Sequence, residues 1–275
     1  MEESCKNIWK AVIVRLIFVI HSGLAYWRVA SVYDKSRFYL LFLLLLQVAE
    51  CLYAVIGRKG VEYKWFSSCF FFYIASTVPA ICMLEIDRLN RYTEIYQREN
   101  GTHLEALIAI KGVTLPFTLT PDIWVSLIEE GMLFLMILGR LILPRGELSR
   151  DQLAELLFVF IGMASDNSDL FVLFDESAVR KDRVLTIAIL VIWCLSMILY
   201  AVGLTVAETS LGKFCSLLFA FLLQDFPYLI VRVVVLAKYA LASYGVLFFL
   251  FKNIFVTILV FYKLFTLCDN DDDYV

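Results

Sequence analysis

The chain is short of charge, of helix breakers and of histidine. Asp, Glu, Lys and Arg supply 19% of its 275 residues, against 61% for the hydrophobic types. A soluble domain is about 45–50% apolar, so this composition argues for an integral membrane protein. The net charge of −3, from 24 basic and 27 acidic residues, leaves no electrostatic footprint for nucleic acid. The two histidines belong to no HExxH or His/Cys cluster, which makes a zinc site unexpected. A glycine-rich phosphate loop, a GxSxG turn and a Ser-His-Asp set at nominating spacing are also absent. No catalytic residue, cofactor-binding residue or metal ligand is therefore assigned, and the chain is not expected to be an enzyme. No CxxC occurs among the seven cysteines, and Cys51, Cys69, Cys82, Cys194 and Cys215 lie in hydrophobic runs. There a thiol serves as a small apolar side chain, and no disulfide framework is read.

Long apolar runs are what the chain does have. About 20 mostly apolar residues cross a bilayer as a helix. Runs of that kind occur at 8–29, 38–56, 64–84, 123–143, 152–174, 184–206, 216–238 and 245–267. The expected fold is an all-α integral membrane protein, a bundle of about eight transmembrane helices in one polytopic domain, 1–268. The length and charges of the first run mark it as a signal-anchor. The fifth run places Glu155, Val159, Gly162, Asp166 and Asp169 on one helical stripe. Seven spans plus a re-entrant or interfacial helix at that point is the alternative.

A hydrophilic loop, 85–122, opens with a charged helical stretch and contains Asn100-Gly101-Thr102, making Asn100 a candidate N-glycosylation acceptor. Lys and Arg divide almost evenly between the two faces, so the sequon sets the orientation: loop outside, termini cytoplasmic. The tail, 269–275, is short, acidic and expected to be disordered.

Ionisable residues inside the runs are the informative exception. The stretch Ser216 to Lys238 carries Gln224, Asp225, Pro227 and Arg232 in its middle. A charge near the centre of a lipid-facing helix costs about 2.5–3.5 kcal/mol, so such residues turn toward a partner or a water-filled space. Asp225 and Arg232 are seven apart and share a helix face, two turns from one another. Arg15 or Lys252 is the expected partner of Asp225, and Glu50, Glu129 or Asp166 that of Arg232. Pro227 leaves the Leu223 carbonyl without its helix donor. Gln47 and Glu50 share a face, as a cation or proton site or with Glu50 as the structural partner of Arg15. Glu129 and Glu130 are adjacent and cannot both face one site, so one is expected to face the bundle. Asp166 and Asp169 are read as a solvated helix end or the lining of an outer vestibule, and His21 as a packed imidazole. The candidate intramembrane polar site is thus Asp225, Arg232, Glu50, Arg15, Lys252, Gln47, Glu129 and Asp166.

Ordered motifs run through the whole chain. They are Trp27-Arg28-Val29, Tyr63-Lys64-Trp65-Phe66-Ser67, Val78-Pro79, Gly139-Arg140-Leu141-Ile142-Leu143-Pro144 and Arg150-Asp151-Gln152-Leu153. Leu190-Val191-Ile192-Trp193, Gln224-Asp225-Phe226-Pro227-Tyr228, Val231-Arg232 and Lys252-Asn253 follow. In these the chain resembles the transmembrane protein 26 family of animal multi-pass membrane proteins. It departs in a shorter loop around Asn100 and in lacking a long polar tail. The resemblance implies a multi-pass protein with a glycosylatable loop and implies no activity.

Two functions are consistent with these residues. One is a channel or transporter for an ion or small solute, its polar path involving the charges of the seventh run. The other is a receptor, adaptor or scaffold whose intramembrane charges are structural ion pairs and which binds a protein partner. Either acts in the lipid bilayer of the plasma membrane or an endomembrane.

Overall fold

Apolar runs of spanning length can satisfy their backbone only by coiling, since lipid offers no hydrogen-bond partner. The computed structural model accordingly places most of the residues it describes, 2–33, 41–99, 121–202 and 209–272, in helices. Asn100 and the last three residues lie outside the described residues. The long helices are α1 (Glu2–Val32), α2 (Phe42–Arg58), α3 (Ser68–Glu99), α4 (Pro121–Ile142) and α5 (Arg150–Val172). After a short 3-10 turn come α6 (Ser177–Lys181), α7 (Arg183–Ala201), α8 (Ser210–Ala220), α9 (Phe226–Tyr239) and α10 (Tyr244–Asp272). Among the described residues no strand forms beyond one isolated bridge, Phe66 to Val202.

Five stretches are long and apolar enough to cross a membrane: Cys5–Val32, Ser68–Glu94, Arg183–Ala201, Leu211–Tyr239 and Tyr244–Thr266. Three further helices stand where spans are expected but differ in length or charge. The 17 residues of α2 extend only about 25 Å at 1.5 Å per residue. Helix α4 carries Asp122, Glu129, Glu130 and Arg140, and α5 carries five ionisable residues from Arg150 to Asp169. The charged stretch that opens the hydrophilic connection is helical as expected, and it continues α3 to Glu99 with Glu85 and Arg88 buried. At the other end, α10 runs on through the first four residues of the acidic tail.

The chain divides into two compact units. The first is Met1–Gly60 with Phe72–Leu143; the second is Val61–Phe71 with Pro144–Val275. In the first, α1 and α2 run antiparallel, with Arg15 against Glu50 and Ser22 against Gln47. Helix α4 also opposes α1, with Trp27 edge-on to Trp124 and Gly139 against Phe18. A Cβ on Gly139 would stand 2.6 Å from the Phe18 ring, which is itself stacked on Tyr73 with centroids 4.0 Å apart. Glycine is thus what lets α4 approach α1 so closely. Helix α3 runs parallel to α1, Phe18 meeting Tyr73 and Tyr33 meeting the Met83 carbonyl. The unit is an up-and-down arrangement of four helices.

The second unit repeats that plan with α5, α7, the α8–α9 pair and α10. Asn167 meets Ser196, Ser196 meets Tyr228, Phe221 meets Phe261, and Lys252 meets Asp166. Each of these contacts joins antiparallel neighbours. Local chemistry fixes the helix starts. Ser149 accepts from the Gln152 amide while the Gln152 side chain accepts from the Ser149 amide, a full capping box on α5. Asp182 caps α7 by accepting from the Val184 and Leu185 amides.

Candidate functional site

The second unit pairs polar side chains from several of its helices in its interior, and Pro227 shapes the helix that supplies Gln224, Asp225, Tyr228 and Arg232. Proline has no amide hydrogen and its ring crowds the carbonyl four residues back. Just before it the chain leaves α-helical register: Phe221–Asp225 form a π turn, closed by the Phe226 amide on the Phe221 carbonyl. Single π turns of this kind frequently mark functional sites. The expected seventh span is therefore one helix, Leu211–Tyr239, with a π turn in its middle at Gln224 and Asp225.

Arg232 is fully buried. Its Nη2 and Nε donate to Asp169 Oδ2 at 2.8 and 3.2 Å, and its guanidinium carbon lies 5.2 Å from the Phe249 ring centroid. Lys252 Nζ donates to Asp166 Oδ1 at 2.6 Å. These pairings correct the sequence expectation. Arg232 binds Asp169, not Glu50, Glu129 or Asp166, and Asp225 binds neither Arg15 nor Lys252 directly. The register of α10 against α5 is the cause, since it sets Lys252 opposite Asp166 and Gly245 beside Asp169, 3.6 Å from its carboxyl for an added Cβ. Asp166 and Asp169 are likewise no solvated helix end, because both carboxyls are committed to cations within the unit. The buried face of α5, which includes Leu156, Phe160, Met163, Asn167 and Leu170, is offset by one residue from the expected acidic stripe. Glu155 consequently points outward.

A neutral network adjoins the ion pairs. Asn167 Oδ1 accepts from the Tyr228 hydroxyl, and Ser196 Oγ lies 2.8 Å from that hydroxyl and 3.1 Å from Asn167 Oδ1, with one proton to give to either. Sequence reasoning placed none of these three in the polar site, and Tyr228 entered it only as the last residue of a motif. Only the four-residue step from Tyr228 to Arg232 hinted that both face the same interior.

Other groups here stay open. Asp225 is half-buried and makes no hydrogen bond or ion pair among the described residues, although it lies in the field of Asp166, Lys252 and Arg232. Gln224 Oε1, Arg232 Nη1, both polar atoms of Asn253 and Thr257 Oγ1 are buried without a protein partner. Buried polar atoms are ordinarily satisfied by protein or water, so each of these atoms is one a bound water would serve. Three carboxylates, Asp166, Asp169 and Asp225, face two cations, Arg232 and Lys252. The region carries one uncompensated negative charge when all five are ionised.

The remaining sequence candidates lie in the first unit. Arg15 and Glu50 form a doubly hydrogen-bonded pair, Nε to Oε2 and Nη2 to Oε1, both 2.7 Å, with each side chain 3% exposed. Gln47 donates to Ser22 Oγ, which shares a 2.7 Å bond with Thr77. Glu129 is 1% exposed while Glu130 faces outward, the division expected of adjacent residues. The His21 ring shares a 2.9 Å hydrogen bond with Tyr73. No group of three or more His, Cys, Asp or Glu side chains able to hold a metal occurs among the described residues.

A family model described as Transmembrane protein 26 matches residues 6–216 and 207–263, nearly the whole chain. No solved structure matches it.

Proposed function

The chain belongs to the transmembrane protein 26 family, and from that membership and the polar interior of the second unit we propose a pathway for a proton or small cation. Asp225 is its acceptor. The observation that carries this reading is an intramembrane carboxylate left without a direct partner while its two acidic neighbours are paired. Intramembrane charges mark ion or substrate pathways by default. A carboxylate at the end of a π turn, next in sequence to the unpaired Gln224 Oε1, supplies oxygen donors of the kind that cation sites use. The net negative charge of the group favours a cation over an anion. The chain acts without enzymatic chemistry, and its partners are the bilayer and the transported ion. It crosses the membrane eight times, α2, α4 and α5 included, with the loop around Asn100 outside and glycosylated.

Flux of protons and small cations into proteoliposomes of the purified protein tests this. The wild type is expected to conduct, and a folded Asp225→Asn variant is expected to fall to the rate of empty liposomes. Equal flux in wild type and variant would remove Asp225 from the path.

The Arg15–Glu50 pair favours a second reading for the first unit. Both partners are buried and their charged atoms bond directly, the pattern of an ion pair that fixes packing. A protein built only of such pairs would be a scaffold or receptor. Absence of flux in the wild type for every cation tried, with a partner captured by the loop around Asn100, would move the whole chain to that reading.

A further inference from the structure

Where the π turn packs on α10, buried polar atoms from the two elements meet in one seam of the second unit. Two contacts fix the antiparallel register. The Phe221 and Phe261 ring centroids are 5.6 Å apart, and the Arg232 guanidinium carbon lies 5.2 Å from the Phe249 centroid. Gln224 is three residues from the first contact and Thr257 four, so they stand at one level. Tyr228 and Asn253 are each four residues from the second contact, about one turn further along. On α10, Val246, Leu250, Asn253 and Val260 form the buried stripe, and Thr257 falls on it at helical spacing. Gln224 and Asn253 are 4% and 1% exposed. Gln224 Oε1, Asn253 Oδ1, Asn253 Nδ2 and Thr257 Oγ1 nevertheless have no partner among the described residues. An apolar residue of similar shape would avoid the cost of burying such atoms.

We propose that Gln224, Asn253 and Thr257 form, with Asp225, a binding site for a partly hydrated alkali-metal cation. The site rests on the pathway reading above for Asp225 as acceptor, and it narrows the ion from proton or cation to metal cation. A carboxylate holds a proton alone, whereas a metal cation is held by several oxygens at once, neutral amide oxygens among them. Asp225 adjoins Gln224 at the end of the π turn and supplies the charge. The donors are all oxygen, without His or Cys, which suits a hard cation rather than zinc or copper. Its single charge follows from the carboxylates. Asp166 and Asp169 are committed to Lys252 and Arg232 at 2.6 and 2.8 Å, so Asp225 alone is left to balance the ion. Calcium sites, by contrast, draw on several carboxylates. Asn253 Nδ2 is a donor, and a water kept by the ion is its acceptor.

Equilibrium binding of sodium-22 and rubidium-86 to the full chain in lipid nanodiscs tests this, rubidium standing for potassium. The wild type is expected to bind at least one of them saturably. Thr257→Val keeps the shape and removes the oxygen, and is expected to weaken that binding about tenfold or more, as loss of a bond to a charged group does. Thr257→Ser is expected to retain it. Absence of saturable binding of both ions, or unchanged affinity in Thr257→Val or in Asp225→Asn, would each overturn the proposal. Proton flux that needs Asp225, with neither ion bound, would overturn the metal site and leave the pathway. Binding weakened in Thr257→Val, in a protein that conducts nothing, would keep the site and remove the pathway. The wild-type result needs no variant, so a substitution that fails to fold does not leave the question open.

Discussion

At the scale of single residues, burial separates two kinds of charge. Arg15 and Glu50 are each other's partner, with two parallel bonds of 2.7 Å and almost no exposure. Removing one member strands the other in the interior, which typically costs about 3–5 kcal/mol, whereas replacing both by apolar residues is often neutral. Glu50→Leu alone should therefore lower thermal stability in detergent by roughly that amount, and Arg15→Met with Glu50→Leu should recover most of it. A double variant as unstable as the single would show that Arg15 or Glu50 serves something beyond the pair. Both residues were legible in the sequence, because a charge in an apolar run announces itself, but their pairing was one alternative there beside Asp225 for Arg15 and Arg232 for Glu50. The choice of partner for Arg232 was not legible. Asp169 stood three residues from a nominated candidate, but helix register in the folded unit decides between such neighbours, and spacing within one helix says nothing of it.

Elements were easier to read than their interruptions. Expected runs at 123–143 and 184–206 became helices at Pro121–Ile142 and Arg183–Ala201, since apolar length and polar punctuation are strong signals. The π turn at Phe221–Asp225 adds one residue to a helical turn, too small a change for periodicity to register, although Pro227 gave its cause. Asp182 shows how one residue holds two elements. It caps α7 and accepts 2.6 Å bonds from Lys238 and Tyr239 at the end of α9. Those bonds, the one from Lys238 foremost, then that from Tyr239 and the Leu185 amide, hold its carboxyl well below the ordinary carboxylate range. A group depressed in the folded state contributes stability that is full above its unfolded value, about 3.9, and is lost as pH falls through the lower folded value. The α7–α9 link should thus persist at neutral pH and weaken only below about pH 4. Asp182→Asn should flatten the acid limb of a stability-against-pH curve; an unchanged limb would place the acid-sensitive group elsewhere.

For the whole molecule, the open quantity is how many helices cross the bilayer beyond the five long apolar stretches, and of α2, α4 and α5 the last carries the most charge. Composition argues against crossing, because Asp166 and Asp169 would each cost about 2.5–3.5 kcal/mol as lone charges in lipid. The fold answers that objection, since Lys252 and Arg232 neutralise them inside the second unit and the penalty for a lone charge does not apply. Length is sufficient, as its 23 residues extend about 34 Å against a hydrocarbon core of roughly 30 Å. A sequence read run by run charges each residue as if it faced lipid, which is why a re-entrant or interfacial helix is the alternative the sequence leaves at this point. Crossing makes a sharp prediction. Glu147 precedes α5, Ser177 follows it, and both are exposed. Cysteines placed singly at these positions in a background without other reactive thiols should react with a membrane-impermeant maleimide from opposite sides. Labelling of both from one side would make α5 re-entrant or interfacial. With α2 and α4 crossing as proposed, it would also leave seven crossings and put the end of α10 on the face opposite the start of α1.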